Sequence, residues 1–128
     1  MAEQTNIPEV VAEVTDSFER YNQAIETGDS AALNSFFWNS PLTVRFGPRE
    51  HLFGYEEIAN FRTGVWKPGA PRAVERLAVT TFGRDFGTTN AMFRDAAGKV
   101  NRQSQVWVRT GEGWRIAAAH VSPLPDCP

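Results

Sequence analysis

The segment Lys99–Ser122, KVNRQSQVWVRTGEGWRIAAAHVS, constrains the fold of this 128-residue chain more than any other stretch. It reads as two long strands joined by a tight turn at Thr110-Gly111-Glu112-Gly113. Val100, Val106, Trp107, Val108, Trp114, Ile116 and Val121 bring β-branched and aromatic character, and the glycines bring the backbone freedom a hairpin needs. Polar groups stud the same strands: Arg102, Gln103, Ser104 and Gln105, then His120 and Ser122. Adjacent strands this rich in polar side chains commonly wall something wet, so a small-ligand cavity is the leading expectation.

The rest of the chain divides around Lys67-Pro68-Gly69-Ala70-Pro71, a clear break. Before it, Pro8 sits where the first turn of a helix accepts proline, and Val10, Val14, Phe18, Tyr21 and Ile25 follow at helical spacing. Gly28 ends this helix, and Asp29 or Ser30 caps a short second one through Leu33, Phe36 and Phe37. A strand is predicted from Leu42 to Phe46, a loop from Arg49 to Phe53, and a third helix from Tyr55 to about Trp66. After the break, strands are predicted over Ala73–Phe82, Phe86–Arg94, Val100–Arg109 and Trp114–Ser122. Helices first and an antiparallel meander second is the α+β pattern, with three helices on one face of a curved sheet. No repeat, low-complexity segment or second domain is visible, and residues 1–128 read as one domain.

Composition removes several classes of function. A net charge of −2 with no basic run gives no electrostatic case for nucleic acid. No apolar stretch approaches a membrane span. The opening MAEQTNIPEV has neither a basic nor an apolar region of the signal-peptide kind. The single Cys127, in a Pro-rich tail, has no partner for an internal disulfide, so a cytoplasmic location is the expectation. All but two of the 13 basic residues are arginine, the exceptions being Lys67 and Lys99. A guanidinium grips a carboxylate with two hydrogen bonds, and this skew favours some arginines pointing inward at an anion.

Individual residues sharpen that expectation. Arg62 lies one turn beyond Ile58 on the inward side of the third helix, where it needs an anionic or carbonyl partner, either a ligand carboxylate or an internal Asp such as Asp85. Arg45 alternates with Val44 and Phe46 and is comparable, whereas Arg72, next to Pro71 near a loop, is weaker. On the Val100–Arg109 strand, alternation separates Gln103, Gln105 and Trp107 from Arg102, Ser104, Val106 and Val108. Either set could face the cavity; an inward Gln105 and Trp107 would offer donors and an acceptor to a planar polar ligand. His120 is the one histidine in a predicted core strand and the candidate proton shuttle, while His51 reads as exposed. Trp38 and Tyr21 read mostly as core aromatics, with a place in the cavity lining as the lesser alternative. No Gly-x-Ser-x-Gly elbow, Cys-His pair, zinc cluster or nucleotide fingerprint is present, and nothing calls for a cofactor or metal.

The order of elements and three landmarks resemble the SnoaL-like branch of the NTF2-like superfamily, whose members are cone-shaped α+β barrels of the cystatin-like kind. The landmarks are the long first helix with Gly28-Asp29, the segment Gly54 to Arg62, and Gly113-Trp114-Arg115-Ile116 followed by His120-Val121-Ser122. The longer segments FGPREHLFGYEEIANFR, TTFGRDFGTTNAMF and NRQSQVWV look most like the AtzH/HpxZ-type proteins, which accompany amidases in s-triazine and oxalurate breakdown. The resemblance implies pairing as a homodimer through the outer sheet face, association with an amidase, and a cofactor-free site at the open end of the cone. It also implies a pocket role for the His120-x-Ser122 ending. A small anionic, carboxylated ureido metabolite is then the expected partner, with decarboxylation or hydrolysis of a carboxyurea as the reaction. Arg45 and Arg62 would anchor carboxylate, Gln105 and Trp107 would hold the urea plane, Ser122 would be a further substrate-binding residue, and His120 would manage a proton. The alternative is a non-catalytic dimer that binds a metabolite or docks on the amidase.

Overall fold

The computed structural model describes residues 4–64, 66–68 and 71–125. Cys127 and the end of the tail lie outside the described residues, as do Gly69 and Ala70 of the predicted break. Helix α1 (Pro8–Thr27) starts on its proline and packs Val10, Val14, Phe18 and Tyr21 into the core along the predicted stripe. Full burial of each such side chain is worth about 1.5–3 kcal/mol relative to exposure. Gly28 closes the helix in the left-handed conformation (φ 72°), returning its N–H to the carbonyls of Ala24 and Ile25. A methyl there would also meet Pro68 Cγ at 2.8 Å, so this glycine seats the strap that follows the third helix.

Helix α2 (Ser30–Ser35) is capped by Asp29, whose carboxylate accepts from the Ala32 N–H at 3.0 Å. Two short strands follow, β1 (Val44–Phe46) and β2 (His51–Phe53), then α3 (Tyr55–Gly64). β2 replaces part of the predicted Arg49–Phe53 loop. Three residues are too few to show alternation, and β2 forms only because β1 offers it an edge. The long strands are β3 (Arg72–Phe82), β4 (Phe86–Asp95), β5 (Val100–Thr110) and β6 (Gly113–Pro123), each within one residue of its predicted limits.

Together the strands form one six-stranded, α+β sheet in the order β2-β1-β6-β5-β4-β3. All pairs are antiparallel except β1 with β6. This is the expected α+β arrangement of helices on a curved sheet; the sheet curls around the core as an open cone rather than closing into a barrel. Phe93, Trp107 and Ile116 on the concave face meet Val14, Phe18, Leu33 and Ile58 from the helices and Phe37 from the segment just after α2. No helix among the described residues is long and apolar enough to cross a membrane.

One irregularity decides which side chains face the core. Val106 pairs with Ala118 but Trp107 pairs with Ile116, so Ala117 is an extra residue in β6. Such a bulge reverses the facing of everything beyond it. Trp114 and Ile116 point inward, and so do Ala119 and Val121, opposite Gln105 and Gln103. His120 and Ser122 are therefore turned to the convex face, opposite Ser104 and Arg102.

Candidate functional site

A cavity of about 500 Å³ opens at the wide end of the cone. Its buried part is Tyr21 from α1, Arg45 from β1, Arg62 from α3 and Gln103 from β5; the more exposed Glu26, Pro48 and Pro71 border it toward solvent. Arg72, Asp95, Asn101, Val121, Ile25 and Trp66 complete the wall.

Arg62 is the most constrained of these. It is 2 % exposed, and burial pushes its guanidinium below the ordinary arginine value. The Tyr21 oxygen opposes that shift and the Arg45 charge adds to it. Nη2 donates to the Tyr21 hydroxyl at 2.8 Å, and the guanidinium lies over the Trp66 ring at 4.7 Å. Nε has no hydrogen-bond partner, and among the described residues no carboxylate pairs with the side chain. Asp85, the internal partner considered from sequence, instead binds Arg109 at 3.0 Å. A buried cation with a phenol and an indole for company is a site that wants an anion.

Two further arginines reinforce it. Arg45 faces inward beside Ala119, passes 5.6 Å from the Phe61 ring, and binds Glu50 at 2.6 Å through Nη1. Arg72 lies 3.7 Å over the Phe93 ring; burial lowers its pKa, Tyr21 and Glu26 oppose that, and Arg62 lowers it further. Arg62 and Arg72 remain cations at neutral pH despite that lowering, because arginine starts so high. Between them Gln103 offers a buried side-chain carbonyl, Oε1, with no partner. The lining thus combines donors for a carboxylate, an acceptor for an N–H, and a phenol whose oxygen already accepts from Arg62. That leaves the phenolic proton free to be given away.

The structure brings Arg45 and Arg62 to one cavity, together with residues that sequence reasoning ranked low or passed over. Tyr21 sits in the apolar stripe of α1, its ring in the core and its hydroxyl at the cavity. Arg72 looked like a loop residue but opens β3. Gln103 shares the face of Gln105 and lies nearer the open end.

The other expected site residues sit elsewhere. Gln105 and Trp107 do face inward, but they lie behind the cavity and bind each other's neighbour: Thr89 Oγ1 donates to Gln105 Oε1 at 3.0 Å and accepts from Trp107 Nε1 at 3.1 Å. His120 is exposed on the convex face, its ring 5.8 Å from that of Phe46 and perpendicular to it. Ser122 shares that face, so the Ala117 bulge separates both residues from the arginines. His51 is exposed in β2.

A family model described as AtzH-like matches residues 3–126. No curated protein matches the chain. Among solved structures it is similar to a protein of unknown function from Pectobacterium atrosepticum, with 40% identity over 94% of this chain and 95% of that one and a TM-score of 0.89. It is also similar to a cystatin-like fold protein from Burkholderia xenovorans, with 38% identity over 98% and 99% of the two chains and a TM-score of 0.90. A putative NTF2-like dehydratase from Streptomyces avermitilis shares the fold, at 17% identity over 92% and 98% of the chains and a TM-score of 0.78.

Proposed function

The chain belongs to the AtzH-like family, and from that premise we propose that it acts on a small carboxylated ureido compound held in the cone cavity, alongside an amidase in nitrogen-heterocycle breakdown. The observation that carries this reading is Arg62: buried, without a carboxylate, and hydrogen-bonded to Tyr21. Arg45 and Arg72 supply further anchors for anionic oxygen, and the unpartnered Gln103 carbonyl suits an amide or urea N–H.

The chemistry that fits this lining best is decarboxylation of an N-carboxyurea. The C–N bond to the departing carboxylate breaks, carbon dioxide leaves, and the electron pair goes to nitrogen. That nitrogen takes the proton of the Tyr21 hydroxyl, and water later restores the phenol. An arginine clamped on the departing carboxylate would favour the substrate over the transition state, since charge leaves that group. Arg62 is better used in two places at once: Nη2 beside Tyr21, where it stabilises the phenolate that forms, and the unpartnered Nε toward an anionic oxygen that stays with the product. Arg45 and Arg72 then hold oxygens whose charge does not change. Hydrolysis of the same bond would need a positioned water in place of this proton transfer.

One observation favours the non-catalytic reading: the cavity wall contains no histidine, and of its proton-bearing groups Glu26 is exposed and Asp95 is held by the Ala97 and Lys99 N–H groups, which leaves Tyr21 as the buried one. Self-pairing and amidase docking would use the convex face, where Val106 and Ala118 lie among Arg102, Ser104, His120 and Ser122. Carbon dioxide release from a panel of N-carboxyureas, with and without the amidase, tests the proposal. Release by the protein alone supports it. Binding without release favours the metabolite-binding reading, and neither binding nor release removes both.

A further inference from the structure

Resting on the reading that the cavity takes a carboxylate, we propose that Glu50 is a tethered stand-in for it: Glu50 holds Arg45 while the cavity is empty and yields Arg45 to the ligand. Arg45 is the one cavity arginine with an ion-pair partner among the described residues, and that partner comes from a hairpin tip at the rim. The contact is short, 2.6 Å between Arg45 Nη1 and Glu50 Oε1, with side chains 9% and 18% exposed. It is the same bond a ligand carboxylate would make.

The hairpin is built to deliver this carboxylate. β1 and β2 are joined through Gly47-Pro48-Arg49-Glu50, closed by the Gly47 N–H on the Glu50 carbonyl at 2.9 Å. Glu50 then lies beside Gly47 on the concave side, and its carboxylate fills the space a Gly47 side chain would take. A Cβ on Gly47 would stand 1.8 Å from Glu50 Oε1. Glycine at this position is what lets the carboxylate fold back onto Arg45.

Release is also easy. Apart from Arg45, the Glu50 carboxylate holds only the Arg49 N–H, at a long 3.3 Å. Pro48 and Arg49 are exposed, so the side chain can rotate into water without breaking a core contact. An empty cavity with three guanidiniums needs an internal anion to offset their repulsion, and a ligand that brings its own makes that anion redundant. The exchange swaps one charge-assisted pair for another, and the apparent affinity is lowered by the fraction of molecules in which Glu50 still occupies Arg45.

The test is calorimetric titration of oxalurate into the wild type, Glu50→Gln and Gly47→Ala, with N-acetylurea as the uncharged probe and a thermal melt to verify each fold. Glu50→Gln removes the charge at nearly constant shape. Gly47→Ala keeps every charge and pushes the flexible carboxylate off Arg45, while its methyl, 3.0 Å from Arg45 Nη1, is accommodated by a small turn of that flexible guanidinium. Both variants are expected to bind oxalurate about threefold to tenfold more tightly, the scale of one partly screened pair, with acetylurea unaffected. Tightening in Glu50→Gln alone reports only a rise in positive potential and overturns the stand-in. Weaker or unchanged binding in both variants overturns it as well and makes Glu50 a residue that fixes Arg45. Oxalurate binding to none of the three proteins overturns the carboxylate cavity itself.

Discussion

Arg62 and Tyr21, 41 residues apart in the chain, meet across the cone: Nη2 of the arginine donates to the phenol oxygen over 2.8 Å. Helix α3 brings the cation and helix α1 the hydroxyl, so the site exists only once both helices have docked on the sheet. Because the phenol accepts from a permanent cation, the tyrosine faces the cavity as a donor, and any phenolate formed there has a counter-ion in place.

Tyr21→Phe removes that proton and nothing else of similar size. Turnover of an N-carboxyurea should fall by about 10²–10⁴-fold, the usual range for losing a positioned acid, with KM moving much less. Steady-state carbon dioxide release measures both parameters. A change confined to KM would make Tyr21 a binding residue.

Arg62→Met separates function from stability. Replacing a buried cation that lacks a carboxylate partner with an apolar chain should leave unfolding free energy within about 1 kcal/mol of wild type. Urea denaturation checks this. A loss above about 3 kcal/mol would mean that the guanidinium is a structural strut.

His120→Ala should leave binding and turnover within about twofold of wild type, since the imidazole lies on the convex face beside Phe46. The same kinetic assay decides it. A large loss of turnover would show that the convex face, and not the cavity, carries the chemistry.

Stability at acid pH should report Glu13. Its carboxyl accepts from Trp114 Nε1 at 2.9 Å and pairs with Arg109 at 2.7 Å, and these hydrogen bonds, Trp114 first, hold it below its ordinary 4.5. A depressed folded value means stabilisation that is complete above the unfolded pKa and lost as pH falls through the folded one. Glu13→Gln should therefore melt below wild type at pH 7, with the gap narrowing below about pH 4.5 and closing in stronger acid. Thermal melts from pH 7 to pH 2 measure the gap. A constant difference would remove the ionic contribution.

The four long strands were legible because period-two alternation and glycine turns bound them within a residue, and α1 because its stripe is uninterrupted; β1 is two residues shorter than expected and β2 was read as loop. The facing of Arg45 and Arg62 followed from the same periodicities. The facing of His120 and Ser122 did not, because it turns on one extra residue, Ala117, in the run Ala117-Ala118-Ala119, where no glycine or proline betrays a bulge. Tyr21 was hard to place for the opposite reason: its position continues the core stripe faultlessly and its ring does belong to the core, and only the fold reveals that its hydroxyl reaches the cavity. Gln103 and Gln105 share one face and one chemistry, so their roles separate only with depth in the cone.

Whether the cavity holds an anion through Arg62 is decided by calorimetric titration of oxalurate into the wild-type protein and Arg62→Met side by side, with both folds verified. Saturable binding to the wild type is expected, with a loss of about tenfold to a hundredfold or more in the variant, the worth of a charge-assisted bond to a carboxylate. Equal affinity in the two proteins, or no binding to the wild type, would contradict that role for Arg62.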